Sequence, residues 1–168
     1  MNRFTGKTVL ITGGTSGMGL ATAHRLLAEG AHVIVTGRTR ARVDSAVHQL
    51  GPHASGIVAD TAALDAVDAL METVRDRHGQ LDGLFANAGT GAFLPFENIT
   101  EPDFDHGTDV HFKGVFFTVQ EALPLLTDGG AIVINASGRP SPERRRWPLS
   151  LRSPRSTTRT PSSHRHAA

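Results

Sequence analysis

Residues 8–19 of this 168-residue chain read Thr-Val-Leu-Ile-Thr-Gly-Gly-Thr-Ser-Gly-Met-Gly. The first half is an uncharged run rich in β-branched residues, which is typical of a parallel strand buried on both faces. Glycines follow directly, and apolar residues then recur at helical spacing from Leu20 to Leu27. The stretch therefore predicts a strand, a glycine-rich turn and a helix.

A glycine-rich turn before a helix suits a phosphate ligand. A pyrophosphate reaches the backbone amides and the positive helix N-terminus only where no Cβ intervenes. Gly13 would supply the tight turn, Gly17 a close approach of backbone to ligand, and Gly19 a close helix–strand contact. Thr15 and Ser16 add hydroxyl donors. The alternative is a turn that is glycine-rich for steric reasons alone, and the flanking strand and helix pattern favours phosphate binding.

The spacing Thr-Gly-x-x-x-Gly-x-Gly differs from the Gly-x-Gly-x-x-Gly of ordinary dinucleotide-binding folds. It resembles the short-chain dehydrogenase/reductase family, and the resemblance covers Phe4 to about Ser137. A second motif, Asn-Ala-Gly at residues 87–89, resembles the family's Asn-Asn-Ala-Gly with Ala86 in place of the first Asn. The resemblance implies an α/β, Rossmann-like doubly wound parallel sheet in the order 3-2-1-4-5-6-7, incomplete here at about five strands.

Apolar periodicity predicts the other elements of the domain. Further strands are expected at residues 31–36, 56–59, 81–86 and 131–136. Helices are expected at about residues 41–50, through the apolar stripe of residues 64–74, and at about residues 101–126, where one long helix would cover a face of the sheet.

The end of the second strand bears on the choice of cofactor. An acidic residue there would hold the ribose 2′-hydroxyl of NAD, whereas an Arg accommodates the 2′-phosphate of NADP. Thr36, Gly37 and Arg38 contain no acid. Arg38 therefore favours NADP, with NAD as the alternative cofactor; a solvated surface charge is the other interpretation of Arg38.

The end of the third strand has two interpretations. In the resembling family, an Asp at the position of Asp60 accepts a hydrogen bond from the adenine amino group, and the next residue, Thr61, packs nearby. Either residue would serve equally well as a helix N-cap. The resemblance also places the nicotinamide ribose beside residues 87–89, where Asn87 can bridge neighbouring strands. The candidate cofactor-binding residues are Gly13, Thr15, Ser16, Gly17, Met18, Gly19, Arg38, Asp60, Thr61, Asn87, Ala88 and Gly89.

The resemblance implies transfer of hydride between NADP(H) and a small carbonyl or alcohol substrate. It makes Ser137 the residue that hydrogen-bonds the substrate oxygen, and it puts His111 where the family has an Asn whose carbonyl holds a water of the proton relay. The family's Tyr and Lys should follow Ser137, but the chain has no Tyr, and its lysines are Lys7 and Lys113. We therefore expect a catalytically defective oxidoreductase; an NADP-binding sensor without turnover is the alternative.

Composition changes abruptly after Ser137. Residues 1–137 carry nine Lys or Arg against fifteen Asp or Glu, whereas residues 138–168 carry eight Arg against one Glu and five of the nine prolines. We expect a cofactor domain at 1–137 and a disordered basic tail at 138–168, the product of a truncation or a shifted reading frame. Binding of the tail to nucleic acid or an acidic partner is a further alternative.

Other classes of function are disfavoured by composition. The chain has no Cys, which excludes disulfides and thiolate metal sites, and we predict no metal site. No apolar run approaches the ~20 residues that a membrane span requires, so we expect a cytoplasmic protein without a membrane partner. A homo-oligomer is expected only if the fold is complete.

Overall fold

The computed structural model describes residues 2–91 and 94–136. Their strands are β1 (Thr8–Ile11), β2 (His32–Gly37), β3 (Ala54–Val58), β4 (Leu81–Ala86) and β5 (Leu126–Ile134). Their helices are α1 (Gly17–Ala28), α2 (Arg40–Leu50), α3 (Leu64–His78), α4 (Glu101–Thr108) and α5 (Gly114–Ala122). The candidate Ser137 and the predicted tail at 138–168 lie outside the described residues.

The described strands form one five-stranded sheet in the order β3-β2-β1-β4-β5. Every pairing is parallel. The chain builds outward from β1 through β2 to β3, and then crosses back to place β4 on the other side of β1. The strand order thus reverses between β1 and β4, which is the point where open α/β sheets bind ligands. The predicted fold class is confirmed.

The inner strands β1, β2 and β4 are covered on both faces, which explains their continuous apolar runs, whereas Val133 and Ile134 of β5 are more than half exposed. Side chains of β1 alternate between two hydrophobic clusters: Leu10 packs in one, and Val9 and Ile11 pack in the other. The cluster that holds Leu10 also contains buried residues of α3 and α5. The other cluster contains Ala23 of α1 and Ala46 of α2.

The prediction of one continuous helix at about 101–126 is wrong. After α4, the backbone makes a π-helical turn at Asp109–Lys113, α5 follows, and a 3₁₀ turn at Leu123–Leu125 leads into β5. The apolar residues of this segment also extend beyond its buried face, since Phe112 and Phe116 are 73% and 59% exposed. Apolar periodicity continues through the π-helical turn and therefore could not reveal it.

The fifth strand also differs from its predicted range of 131–136. It begins at Leu126 and ends at Ile134. Its register with β4 passes from Leu81–Leu126 to Gly83–Ala131, so that residues 127–130 form an irregularity inside the strand. The two consecutive glycines of this segment, Gly129 and Gly130, thus lie within the strand rather than before it.

The amino end of the sheet carries two histidines. His32 begins β2 and His78 ends α3, and their ring centroids are 5.2 Å apart. Burial lowers the pKa of the His32 imidazole, and the charge of His53 lowers it further. Burial likewise lowers the pKa of His78, with smaller contributions from His32 and Arg77. In both rings, burial therefore favours the neutral imidazole.

No helix within the described ranges is long and apolar enough to cross a bilayer.

Candidate functional site

The candidate site lies where the carboxyl ends of β1, β2 and β4 meet. The glycine turn of residues 12–19 follows β1, and the Asn-Ala-Gly motif of residues 87–89 follows β4. Because β1 pairs with both β2 and β4 in parallel, the loops after these three strands emerge at the same edge of the sheet. The structure thus brings together the loops that the sequence predicted to bind one ligand.

Gly13 and Gly19 of the turn occupy positions with no room for a side chain. Gly13 has a φ of +65°, and a Cβ on it would lie 2.9 Å from the Ala88 Cα. A Cβ on Gly19 would lie 2.4 Å from the Gly13 carbonyl oxygen and 2.7 Å from Asn87 Nδ2. Gly13 thus brings the loops after β1 and β4 together, and Gly19 allows α1 to pack against the turn.

The N-terminus of α1 is open to a ligand. Gly17, its first residue, has a φ of +54° and no atom within 4 Å of the place that a Cβ would take. Ser16 is the N-cap residue, but its side chain makes no capping bond to any described residue. The first turn of α1 contains no acidic residue. The first amides of the helix and its positive end are therefore available to an anion.

A hydrogen-bond network joins the ends of β1, β4 and β5. The Thr12 hydroxyl accepts bonds of 3.0 Å from the amides of Asn87 and Ala88. Asn87 Nδ2 donates to the carbonyl oxygens of Thr12 and Gly13, each at 3.3 Å. Asn135 Nδ2 donates to Asn87 Oδ1 at 2.9 Å. The side chain of Asn87 thus bridges neighbouring strands, as its amide chemistry predicted.

Thr12 and Asn135 are members of this network that were not predicted from the sequence. Thr12 is 2% exposed, and a buried hydroxyl is hydrogen-bonded as a rule. Each of these residues follows an apolar strand run, at the end of the sheet where polar side chains reach neighbouring loops. That position could have identified both of them.

The end of β2 lies against the glycine turn. A Cβ on Gly37 would lie 2.6 Å from Thr15 Cγ2, so that the two loops are in close contact. Arg38 follows at once and is exposed. It forms no salt bridge with the residues that the structure describes, whereas Arg40 lies 3.8 Å from Asp44. The first turn of α2 has no acidic residue. Arg38 thus directly follows the residue that contacts the turn, and its guanidinium forms no salt bridge with a described carboxylate.

Asp60 and Thr61 do not cap α3. Its N-cap residue is Ala63, while Asp60 Oδ1 accepts a bond of 3.1 Å from the amide of Ala62 in a local turn. Thr61 is buried, and a Cβ on Gly114 would lie 2.2 Å from the Thr61 carbonyl oxygen. This contact holds the start of α5 against the loop that follows β3.

His111 reaches the same edge of the sheet from the π-helical turn. Its Nε2 lies 2.7 Å from the Thr90 carbonyl oxygen, which can only accept, so we assign the proton to Nε2. The ring also lies beside Gly89, where a Cβ would be 3.2 Å from Cε1. The imidazole of His111 thus holds the loop that follows β4. The sequence had pointed to the carbonyl of this residue, and the ring contact was missed.

Comparisons with known proteins agree with this geometry. The short chain dehydrogenase family profile matches residues 7–144. The oxidoreductase asL5 of Sarocladium schorii is 40% identical over 139 residues, which are 82% of this chain and 56% of that protein. The chain thus spans about half the length of the curated relatives it matches.

Two solved structures have the same fold and hold different cofactors. A blue fluorescent protein from a metagenomic library, in complex with NADPH, superposes with a TM-score of 0.72 at 29% identity and covers 80% of this chain and 56% of its own. A 3-ketoacyl-(acyl-carrier-protein) reductase from Brucella melitensis, complexed with NADH, has a TM-score of 0.69 at 31% identity and covers 72% of this chain and 50% of its own.

Proposed function

This chain belongs to the short-chain dehydrogenase/reductase family, and on that premise we propose that it binds NADP(H) where β1, β2 and β4 end. The observation that carries the proposal is the glycine turn. Gly13 and Gly19 leave no room for a Cβ, and the first turn of the helix that follows has no acidic residue and no capping side chain from the described residues. Such a cradle fits a pyrophosphate.

Each part of the cofactor has candidate partners around the turn. The backbone of residues 15–19 would hold the pyrophosphate, Asp60 and Thr61 would lie at the adenine, and residues 87–89 would border the nicotinamide ribose. The contact of Gly37 with Thr15 supports an adenosine ribose beside Arg38. A bound nicotinamide supplies the hydride chemistry, which in this proposal serves a small carbonyl or alcohol substrate.

The preference for NADP over NAD rests on Arg38. A guanidinium without a described carboxylate partner is free to pair with a 2′-phosphate, and the first turn of α2 presents no acid that would repel it. A charge-assisted hydrogen bond of this kind is worth about 1.5–3 kcal/mol, or roughly ten- to a hundredfold in affinity.

We further propose that this chain is defective in proton transfer. Hydride transfer to a carbonyl leaves an alkoxide that an acid must protonate. Ser137 would orient the substrate oxygen, but the family's Tyr is missing from the chain. His111 Nε2 is engaged with the Thr90 carbonyl oxygen. These observations support cofactor binding without efficient turnover, as in a sensor or pseudoenzyme, and we assign that binding to the domain at 1–137.

Calorimetric titration with NADPH and NADH tests the proposal. We expect tighter binding of NADPH, and Arg38→Ala should weaken NADPH binding about ten- to a hundredfold while leaving NADH binding unchanged. Arg77→Ala, near the carboxyl end of α3, is the matched control and should change neither. Equal affinities in the wild type would rule out the NADP preference. Failure to bind either cofactor would overturn the proposal as a whole.

A further inference from the structure

Two imidazoles and a hydroxyl converge at the amino end of the sheet, at the edge opposite the cofactor cradle. His32 begins β2, Ser55 lies in β3, and His78 ends α3. Ser55 Oγ lies 3.4 Å from His32 Nε2 and 3.3 Å from His78 Nε2. The three side chains are half-buried. Three electron-pair donors from three elements thus face one small volume.

The two rings are spaced as two imidazoles are when both bind one metal ion. Two imidazoles bound through Nε2 to one tetrahedral Zn²⁺, at about 2.0–2.1 Å each, have ring centroids about 5 Å apart. The centroids of His32 and His78 are 5.2 Å apart, with 37° between the ring planes. The Ser55 hydroxyl can donate to one of the two nitrogens, and it can accept from the other only where that ring carries its proton on Nε2. An ion between them would use both lone pairs.

We propose that His32 and His78 bind one divalent transition-metal ion through their Nε2 atoms, with the Ser55 hydroxyl and water as further ligands. Imidazole nitrogen selects Zn²⁺, Ni²⁺ or Cu²⁺ rather than Mg²⁺ or Ca²⁺. No group of three or more His, Cys, Asp or Glu side chains suited to a metal exists in the described part of the chain. The site is therefore a two-imidazole site, open to solvent on its remaining positions.

The sequence gives no sign of this site because the ligands are far apart along the chain. His32 and Ser55 are 23 residues apart, as are Ser55 and His78. Parallel pairing of β2 with β3 and packing of α3 bring them together. A bound ion would link the start of β2 to the end of α3. Because this geometry exists only in the folded chain, metal binding would stabilise the fold.

The experiment uses the full chain, expressed without a histidine tag and treated with EDTA before dialysis. ZnCl₂ and NiCl₂ are titrated by calorimetry, and the melting temperature is followed with and without each metal. We expect one ion per chain and a melting temperature raised by several degrees at saturation. His78→Ala should weaken binding by more than about tenfold and remove the thermal shift.

Two controls locate the ion. His48→Ala, on the exposed side of α2, should bind as the wild type does, and so should the double variant His164→Ala/His166→Ala. If His78→Ala does not fold, NMR of the wild-type imidazoles replaces it: Zn²⁺ should shift the resonances of His32 and His78 selectively. Absence of binding, binding that His78→Ala leaves intact, or loss of binding in the double variant would overturn the proposal. So would Zn²⁺-induced shifts confined to other histidines.

Discussion

Asn135 Nδ2 donates a hydrogen bond of 2.9 Å to Asn87 Oδ1, which joins the ends of β5 and β4. This bond fixes the orientation of the Asn87 amide. With Oδ1 accepting from Asn135, Nδ2 points to the carbonyl oxygens of Thr12 and Gly13. Backbone carbonyls only accept, so the opposite orientation of the amide would break all three bonds. Asn135, which directly follows β5, therefore helps to hold the glycine turn in place.

Replacing Asn135 should loosen the turn. In Asn135→Ala, Asn87 Oδ1 loses its donor, and we expect a loss of about 1 kcal/mol in the free energy of unfolding, since Asn87 is half-buried. NADPH binding should weaken in parallel. Urea unfolding and calorimetry measure both effects. Asn98→Ala, at an exposed position, is the control, and identical behaviour of the two variants would contradict the assigned role of Asn135.

A methyl group at Gly19 should separate α1 from the glycine turn. The new Cβ would lie 2.4 Å from the Gly13 carbonyl oxygen, a backbone atom that cannot move without displacing the turn. We expect Gly19→Ala to lower the free energy of unfolding by about 1–3 kcal/mol and to abolish NADPH binding.

Gly107→Ala is the matched control for that variant. Gly107 lies in α4 with no atom within 4 Å of the place that a Cβ would take. Alanine is the better helix former by about 1 kcal/mol, so this variant should be as stable as the wild type or more so. NADPH affinity in Gly19→Ala equal to that of Gly107→Ala would show that the close contact has no part in cofactor binding.

Local patterns predicted most of the sheet. The range of β4, residues 81–86, matches its prediction, because a strand buried on both faces is a continuous apolar run between polar residues. The start of β3 at Ala54 was missed by two residues, because Ala54 and Ser55 lack a strong strand preference and owe their place to pairing with Val33 and Ile34.

The sequence predicted the tight turn at Gly13, the close packing at Gly19 and the bridge from Asn87, but not the other cross-links around the glycine turn. Gly13 and Gly19 could be predicted from the sequence because a residue without a Cβ indicates a tight turn or a close contact. The bonds of Thr12 and Asn135 and the ring contact of His111 join segments far apart along the chain. Such contacts depend on the register of the strands and on the π-helical turn, neither of which periodicity can reveal.

Acid should weaken the attachment of the N-terminal segment to α1. Arg3 donates to Glu29 Oε1 at 2.7 Å, and Arg25 donates to the same oxygen at 2.6 Å. The bond from Arg3, followed by that from Arg25, lowers the pKa of Glu29 to about 2 in the folded chain. A carboxyl whose pKa is lowered by folding stabilises the fold above its unfolded pKa, at about 4.3, and loses that contribution as the pH falls towards 2.

The free energy of unfolding should therefore fall between about pH 4.3 and pH 2, and less steeply in Glu29→Gln than in the wild type. Urea unfolding at intervals of pH measures the slope. Glu72→Gln, an exposed position on α3, is the control for removing a carboxylate. Equal slopes in the wild type and Glu29→Gln would show that these two ion pairs carry no pH-dependent stability.

We expect the purified chain to show no carbonyl reduction above a cofactor-only control, even where it binds NADPH. A positioned acid contributes about 10²–10⁴-fold to such a step, and Ser137 is too weak an acid to replace a Tyr whose pKa a Lys has lowered. The His111 ring is the other candidate, but its Nε2 proton is committed to the Thr90 carbonyl oxygen at 2.7 Å.

NADPH absorbance over a panel of ketones and aldehydes measures the rate for the wild type, Ser137→Ala and His111→Ala. Because the wild type should already lie at the level of the cofactor-only control, neither variant should lower it. Wild-type turnover that His111→Ala abolishes and His111→Asn retains would show that residue 111 takes part in the reaction. It would also show that Asn, the family's residue at this position, can replace His111. Turnover that disappears in Ser137→Ala would show that the substrate oxygen is oriented and that another acid protonates it. Either result would contradict the proposal of a defective proton transfer, because the missing phenol would then have been replaced within this chain.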